Sequence, residues 1–189
     1  MNNLGFAYQE GQGVTKDFVK ARAWYEKAIA KGSDLAKTNL ERLMIDEATA
    51  AGRYGEALKS QTSRTERIVA AETKENGKPG EQTAGALLSQ SWSALLAREY
   101  AQALAAGDRA IELSLGSLHI DTNRAHALLF LDRGAEAKAL YLAHKGKPIT
   151  SEDKRTWEEV ISEDFAELRK AGLTHPMMAE IEKELSIVR

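Results

Sequence analysis

Four histidines mark where chemistry would be sought in this chain. His119 and His126 stand seven residues apart with Asp121 between them, a spacing that shares one helix face. A zinc protease sets its histidines four apart with a glutamate between them, and that arrangement does not occur here. The spacing supplies no ligand set for a metal, so His126 is expected to face a groove or to be half buried. His144 and His175 fall beside expected helix ends, where an imidazole satisfies backbone carbonyls or caps a turn. Cysteine is absent, which removes disulfides, thiol catalysis and cysteine-based zinc sites together. Gly11-Gln12-Gly13 looks superficially like a phosphate loop, but no strand precedes it and no third glycine follows at the required spacing. No serine lies in the strand–elbow–helix context that exposes a nucleophile. The expectation is a protein without catalytic residues, cofactor or metal.

Composition narrows the remaining classes. The 189 residues suffice for one or two domains. Lys+Arg number 26 against 28 Asp+Glu, a net charge of -2, which lacks the basic footprint of a nucleic-acid binder. No apolar run approaches the roughly 18 residues that a membrane span needs, so no membrane insertion is expected. With 3 prolines and 6% aromatic residues, and with alanine, leucine, glutamate and lysine abundant, helix is favoured throughout.

The first forty residues show how such helices are punctuated. Leu4 and Tyr8 lie four apart on one helical face. Gly11 and Gly13 follow as terminators, because glycine reaches left-handed conformations at little cost. Asp17 stands where a second helix should begin, at the end of the dipole that favours an acid. Ala21 and Ala28 give that helix a small-residue face for close approach, Trp24 and Tyr25 give it bulk, and Gly32 ends it. The unit is one antiparallel helical hairpin.

The run Leu4-Gly5-x2-Tyr8-x2-Gly11-x-Gly13-Val14-x2-Asp17-x2-Lys20-Ala21-x2-Trp24-Tyr25-x-Lys27-Ala28-x3-Gly32-x3-Ala36 resembles the Sel-one-like repeat, a branch of the tetratricopeptide superfamily. The resemblance implies a bacterial all-α array that binds other proteins and carries no chemistry of its own. Its first repeat lacks an opening turn, so the chain is expected to be a piece of a longer protein or to begin at an internal methionine.

Internal similarity extends the array. Gly52-Arg53-Tyr54-Gly55-Glu56-Ala57-Leu58, Arg98-Glu99-Tyr100-Ala101-Gln102-Ala103-Leu104 and Asp132-Arg133-Gly134-Ala135-Glu136-Ala137-Lys138 share one helix-start pattern. The second and third are offset by 34 residues, the tetratricopeptide period. The first and second are offset by 46, with the excess around Glu75-Asn76-Gly77-Lys78-Pro79-Gly80. Helices are expected near 2–10, 16–31, 34–51, 53–74, 82–97, 99–113, 118–131 and 133–145. Beyond Gly146-Lys147-Pro148, Ser151 and Asp153 should start another helix, striped by Trp157, Ile161, Phe165 and Leu168. Thr174-His175-Pro176 should open a last one, striped by Met178, Ile181, Leu185 and Val188.

The expected fold class is therefore all-α, a right-handed superhelical solenoid of antiparallel hairpins with a two-helix C-terminal cap. Its parts would be a Sel-like repeat at 1–36, tetratricopeptide-type repeats at 37–150 and capping helices at 151–189. The resemblance also implies that the first helix of each repeat lines a concave face. The 34-residue register makes Trp92 and His126 equivalent, and likewise Ser89 and Asn123, with His119 and Thr122 completing the groove. An asparagine there suits an extended peptide, because its amide both donates and accepts. Aromatic residues on amphipathic helices are usually buried, and the alternative keeps Trp92 in the core and gives Asn123 no role. Arg42 and Arg124 lie out of register for a clamp on a partner's terminal carboxylate.

The function expected is protein–protein interaction: an adaptor or scaffold presenting a concave groove to a peptide or protein partner. The alternative is the C-terminal substrate-recognition region of a larger bacterial enzyme, such as a protease. The expected compartment is the cytoplasm, or the periplasm if a signal peptide precedes this chain.

Overall fold

Capping residues and glycines cut the chain into helices where the sequence marks them. The Asp17 carboxylate accepts from the Lys20 N–H at 3.0 Å, and the Ser33 hydroxyl accepts from the Ala36 N–H at 3.3 Å, each taking up a donor that a helix start leaves unpaired. The computed structural model describes residues 1–113, 117–150 and 155–187. Ten helices and no strand lie among the described residues: α1 (Asn2–Glu10), α2 (Phe18–Ile29), α3 (Asp34–Ala50), α4 (Tyr54–Asn76), α5 (Glu81–Leu96), α6 (Tyr100–Leu113), α7 (Leu118–Phe130), α8 (Gly134–Ala143), α9 (Trp157–Lys170) and α10 (Met177–Glu184). The eight helices expected through residue 145 are present to within two residues at each end.

The ninth helix begins later than expected. Ser151 and Asp153 lie outside the described residues, as does Val188, and α9 starts at Trp157. Thr156 is the stronger N-cap because Glu159 completes a capping box with it: the Thr156 hydroxyl accepts from the Glu159 N–H, and the Glu159 carboxylate accepts from the Thr156 N–H.

The internal repeat is visible in the backbone. Ala57, Ala103 and Ala137 are each the fourth residue of their helices and are each buried. Five residues before each stands a left-handed turn residue: Gly52 (φ 71), Arg98 (φ 65) and Asp132 (φ 59). The N–H after each of these donates to an equivalent carbonyl, of Ala48, Ala94 and Leu128. Glycine fills only the first of the three positions, so composition alone hides the equivalence of the turns.

The chain divides into two compact units, Met1–Ser60 and Gln61–Arg189, with the boundary inside α4. In the first, α2 packs between α1 and α3 around Ala21, Tyr25, Ala28, Ala36 and Leu43. A Cβ on Gly5 would stand 2.5 Å from the Tyr25 ring, so glycine is what lets α1 lie against α2. The buried Tyr25 hydroxyl donates to Gln9 Oε1 at 2.8 Å, and Gln9 Nε2 donates to Asp46 Oδ2 at 2.7 Å. Burial pushes the Asp46 carboxyl above its ordinary range, and the Gln9 bond opposes this.

In the second unit α5 packs on α6 and α7, and α7 on α8. The helices after residue 155 bury their stripes against this stack: Trp157, Ile161, Phe165, Leu168, Met178, Ile181 and Leu185 are all at most 2% exposed. Trp157 Nε1 donates to the Tyr141 carbonyl at 2.7 Å, and the Met177 thioether fills the space over Gly134.

Candidate functional site

The six residues expected to line a groove separate into a buried set and an exposed set. Thr122, Asn123 and His126 are buried, His126 completely. Ser89 is exposed, and Trp92 and His119 are half buried. The reason lies in the pairing of α7 with α5. Asn123 Nδ2 donates to the Leu88 carbonyl at 3.1 Å, so the amide bonds a peptide backbone that belongs to this chain. Thr122 Oγ1 donates to the His119 carbonyl at 2.9 Å.

His126 is held at both ring nitrogens. Nδ1 lies 2.6 Å from the Tyr141 hydroxyl, and Nε2 lies 3.0 Å from Asp164 Oδ2. Burial, and after it the Asp164 charge, holds the Tyr141 hydroxyl well above the ordinary phenol range. Tyr141 thus keeps its proton and donates to Nδ1, and the Nε2–H donates to Asp164. The rings of Trp92, Tyr141 and Phe165 surround the imidazole at centroid separations of 6.2, 5.7 and 5.4 Å. The order Tyr–His–Asp has the connectivity of a nucleophile, a base and an orienting acid. Tyr141 is 0% exposed, and the set works as a clamp joining α7, α8 and α9.

A second polar chain runs beside it. His144 Nε2 lies 2.9 Å from Asp121 Oδ2, and Arg124 donates to Asp121 Oδ1 and to Asp108 Oδ1, both at 2.7 Å. His144 therefore serves a carboxylate where a backbone carbonyl was expected. His175 does act at a helix start, its Nδ1 accepting from the Met177 N–H at 3.2 Å. Among the described residues no three His, Asp or Glu side chains gather as metal ligands, and no helix is long and apolar enough to cross a membrane.

The solvent side of the α5–α7 pair holds a depression of about 250 Å³ lined by Glu81, Ala84, Gly85, Leu88, Ser117 and Ile120. Exposed Ser89 lies one residue beyond Leu88, its hydroxyl donating to the Gly85 carbonyl at 3.1 Å. Gly85 is the feature that the expected groove lacked. A Cβ there would meet nothing within 4 Å, in contrast to Gly5, Gly107 and Gly134, which neighbouring side chains crowd. A glycine inside an amphipathic helix was the available signal, since it gives up helix stability. Tyr141 and Asp164 left no such signal, because they reach His126 from 15 and 38 residues away.

A family model described as Sel1 repeat matches residues 1–33. That segment is the α1–α2 hairpin with its turn and the cap of α3. No curated protein and no solved structure matches the chain.

Proposed function

We propose, with the Sel1 repeat at residues 1–33 as the premise, that this chain is a protein–protein interaction module acting as an adaptor or scaffold. Sel1 repeats generally mediate protein–protein interaction, and that repeat is the single observation carrying the reading. Within the second unit the helical hairpins form a right-handed stack of the tetratricopeptide kind, with α9 and α10 closing its end. The partner is a bacterial protein or peptide that lies across α5 and α7, over Gly85, Ser89 and His119, with Trp92 at the edge. Thr122, Asn123 and His126 hold that face in shape from beneath.

Gly85 supports this placement. With no side chain above it, a partner backbone can approach α5 to contact distance. The helices beneath are already ordered, so binding spares the entropy that a flexible loop would lose. The test is affinity capture from an extract of the native cell, with wild type and Gly85→Lys compared by quantitative mass spectrometry. Lysine is a good helix former at an exposed site, so the variant keeps its fold and fills the depression. The expected result is a protein captured by wild type and depleted with the variant. Identical captured sets would remove α5 and α7 from the interface, and no captured protein at all would remove the interaction reading.

A further inference from the structure

A different face of the second unit carries a larger opening, between α4 and α6 over α5. It has a volume of about 410 Å³ and a floor of Val69, Leu87, Ala105 and Ala106. The opening exists because Ala105 and Ala106 leave only methyl groups in the middle of its α6 side, and because α4 is fixed at two levels. Toward its N-terminal end, Gln61 Nε2 donates to the Ala86 carbonyl at 3.2 Å, beside the Thr65 hydroxyl, which donates to the Gln61 carbonyl at 2.9 Å. Toward its C-terminal end, the Glu72 carboxylate accepts from the N–H groups of Gly80, Gln82 and Thr83 at 2.8, 3.3 and 3.0 Å, neutralising the start of α5. Ser91 Oγ donates to the Ala103 carbonyl at 2.8 Å and fixes α6 on the other side. These bonds tie both walls to α5.

The opening carries one charge of each sign. Glu66 belongs to the α4 wall and Arg109 to the α6 wall, both exposed. Neither takes part in an ion pair or hydrogen bond through its side chain among the described residues, although most charged side chains around α7 to α10 do. Gln90 and Gln102 add amides that can donate and accept at the rim. An apolar floor with a few convergent polar groups is the usual make-up of a ligand site. From Thr62 to Ala70 the α4 wall extends roughly 12 Å at the helical rise, which matches about four residues of extended chain.

We propose that this groove binds a short peptide segment carrying aliphatic side chains between a basic and an acidic residue, the base meeting Glu66 and the acid Arg109. The proposal rests on the interaction reading for its partner class, and on residues separate from the α5–α7 face for its geometry.

Three blocked hexapeptides test this: Lys-Ala-Leu-Leu-Ala-Glu, its reverse Glu-Ala-Leu-Leu-Ala-Lys, and the neutral Gln-Ala-Leu-Leu-Ala-Gln. Each is titrated into the full chain while the NMR signals of Val69, Leu87, Ala105 and Ala106 are followed. Both charged peptides, which can meet Glu66 and Arg109 by running in opposite directions, should shift these signals and bind about fivefold more tightly than the neutral peptide, as two exposed ion pairs allow. In the variant Glu66→Gln, Arg109→Gln, which alters only exposed side chains, the charged peptides should lose this advantage. Equal binding of all three peptides, absence of shifts, or a charge advantage that the variant keeps would overturn the proposal. Shifts that grow with protein concentration without peptide would assign the groove to a second copy and also overturn it. Gly85→Lys should leave this binding intact, so failure here and failure of the α5–α7 reading are separable.

Discussion

Replacing His126 by alanine should destabilise the second unit by about 3–4 kcal/mol. The structure sets this magnitude through two contributions. Removing a fully buried ring packed among Trp92, Tyr141 and Phe165 resembles an aromatic-to-alanine truncation, which costs about 3–5 kcal/mol. The Tyr141 hydroxyl also loses its one acceptor among the described residues, at 2.6 Å, and an orphaned buried donor costs about 1–3 kcal/mol. Water entering the vacated space returns part of both, and Asp164, whose side chain is 20% exposed, recovers hydration. Tyr141→Phe, which removes one hydrogen bond and keeps the packing, should cost about 1–2 kcal/mol. The assay is urea unfolding followed by tryptophan fluorescence in a Trp24→Phe background, where the remaining reporters Trp92 and Trp157 both belong to the second unit. A loss below about 1 kcal/mol for His126→Ala at unchanged m-value, the size of an ordinary surface change, would refute the clamp.

Gly5→Ala should cost about 1–3 kcal/mol, because the new methyl meets the Tyr25 ring at 2.5 Å, while Gly85→Ala should gain about 0.5–1 kcal/mol in open space; thermal unfolding that ranks the two alike would contradict both readings. Glu72 is held below the ordinary carboxylate range, most by the neighbouring Thr83 hydroxyl and then by the N–H groups at the start of α5. Its contribution to stability is therefore present above the unfolded pKa and lost as pH falls through the lower folded one, so Glu72→Gln should be less stable than wild type at neutral pH and equal to it in acid, as urea midpoints across pH will show. Asp46 is shifted the other way by burial: its folded carboxyl holds the proton more tightly than the unfolded chain does, so its contribution declines as pH rises from the ordinary carboxylate range through the raised folded pKa. Asp46→Asn keeps an acceptor for Gln9 and should be at least as stable as wild type at neutral pH; a clear loss there would show that the ionised form is required.

Elements written in local spacing were legible before any coordinates. Asp17, Gly11 and Gly32 bound the first hairpin as their types require, and the Ala57, Ala103 and Ala137 equivalence predicted three helix starts that the backbone repeats. The start of α9 went astray because Ser151, Asp153 and Thr156 are all of a type that caps helices, and the reciprocal Thr156–Glu159 bonding marks Thr156 as the cap. The face of α7 was misjudged for a deeper reason. Register assigns Asn123 and His126 to positions, but α9 covers one side of that helix, and only tertiary contact brings Asp164 to His126. Gly85 was passed over because a glycine amid a clear amphipathic pattern changes the helix assignment little, while its meaning depends on the empty space above it.

The central claim is that the chain binds a protein through the α5–α7 face. Titration calorimetry of the captured protein, purified, against the full chain tests this most directly. The account predicts a saturable heat for wild type, weakened at least tenfold by Gly85→Lys and unchanged by the paired Glu66→Gln, Arg109→Gln substitution, with the helical circular dichroism of all three proteins alike. Saturable binding that Gly85→Lys leaves at full strength would contradict it, as would the absence of saturable binding to the wild-type chain.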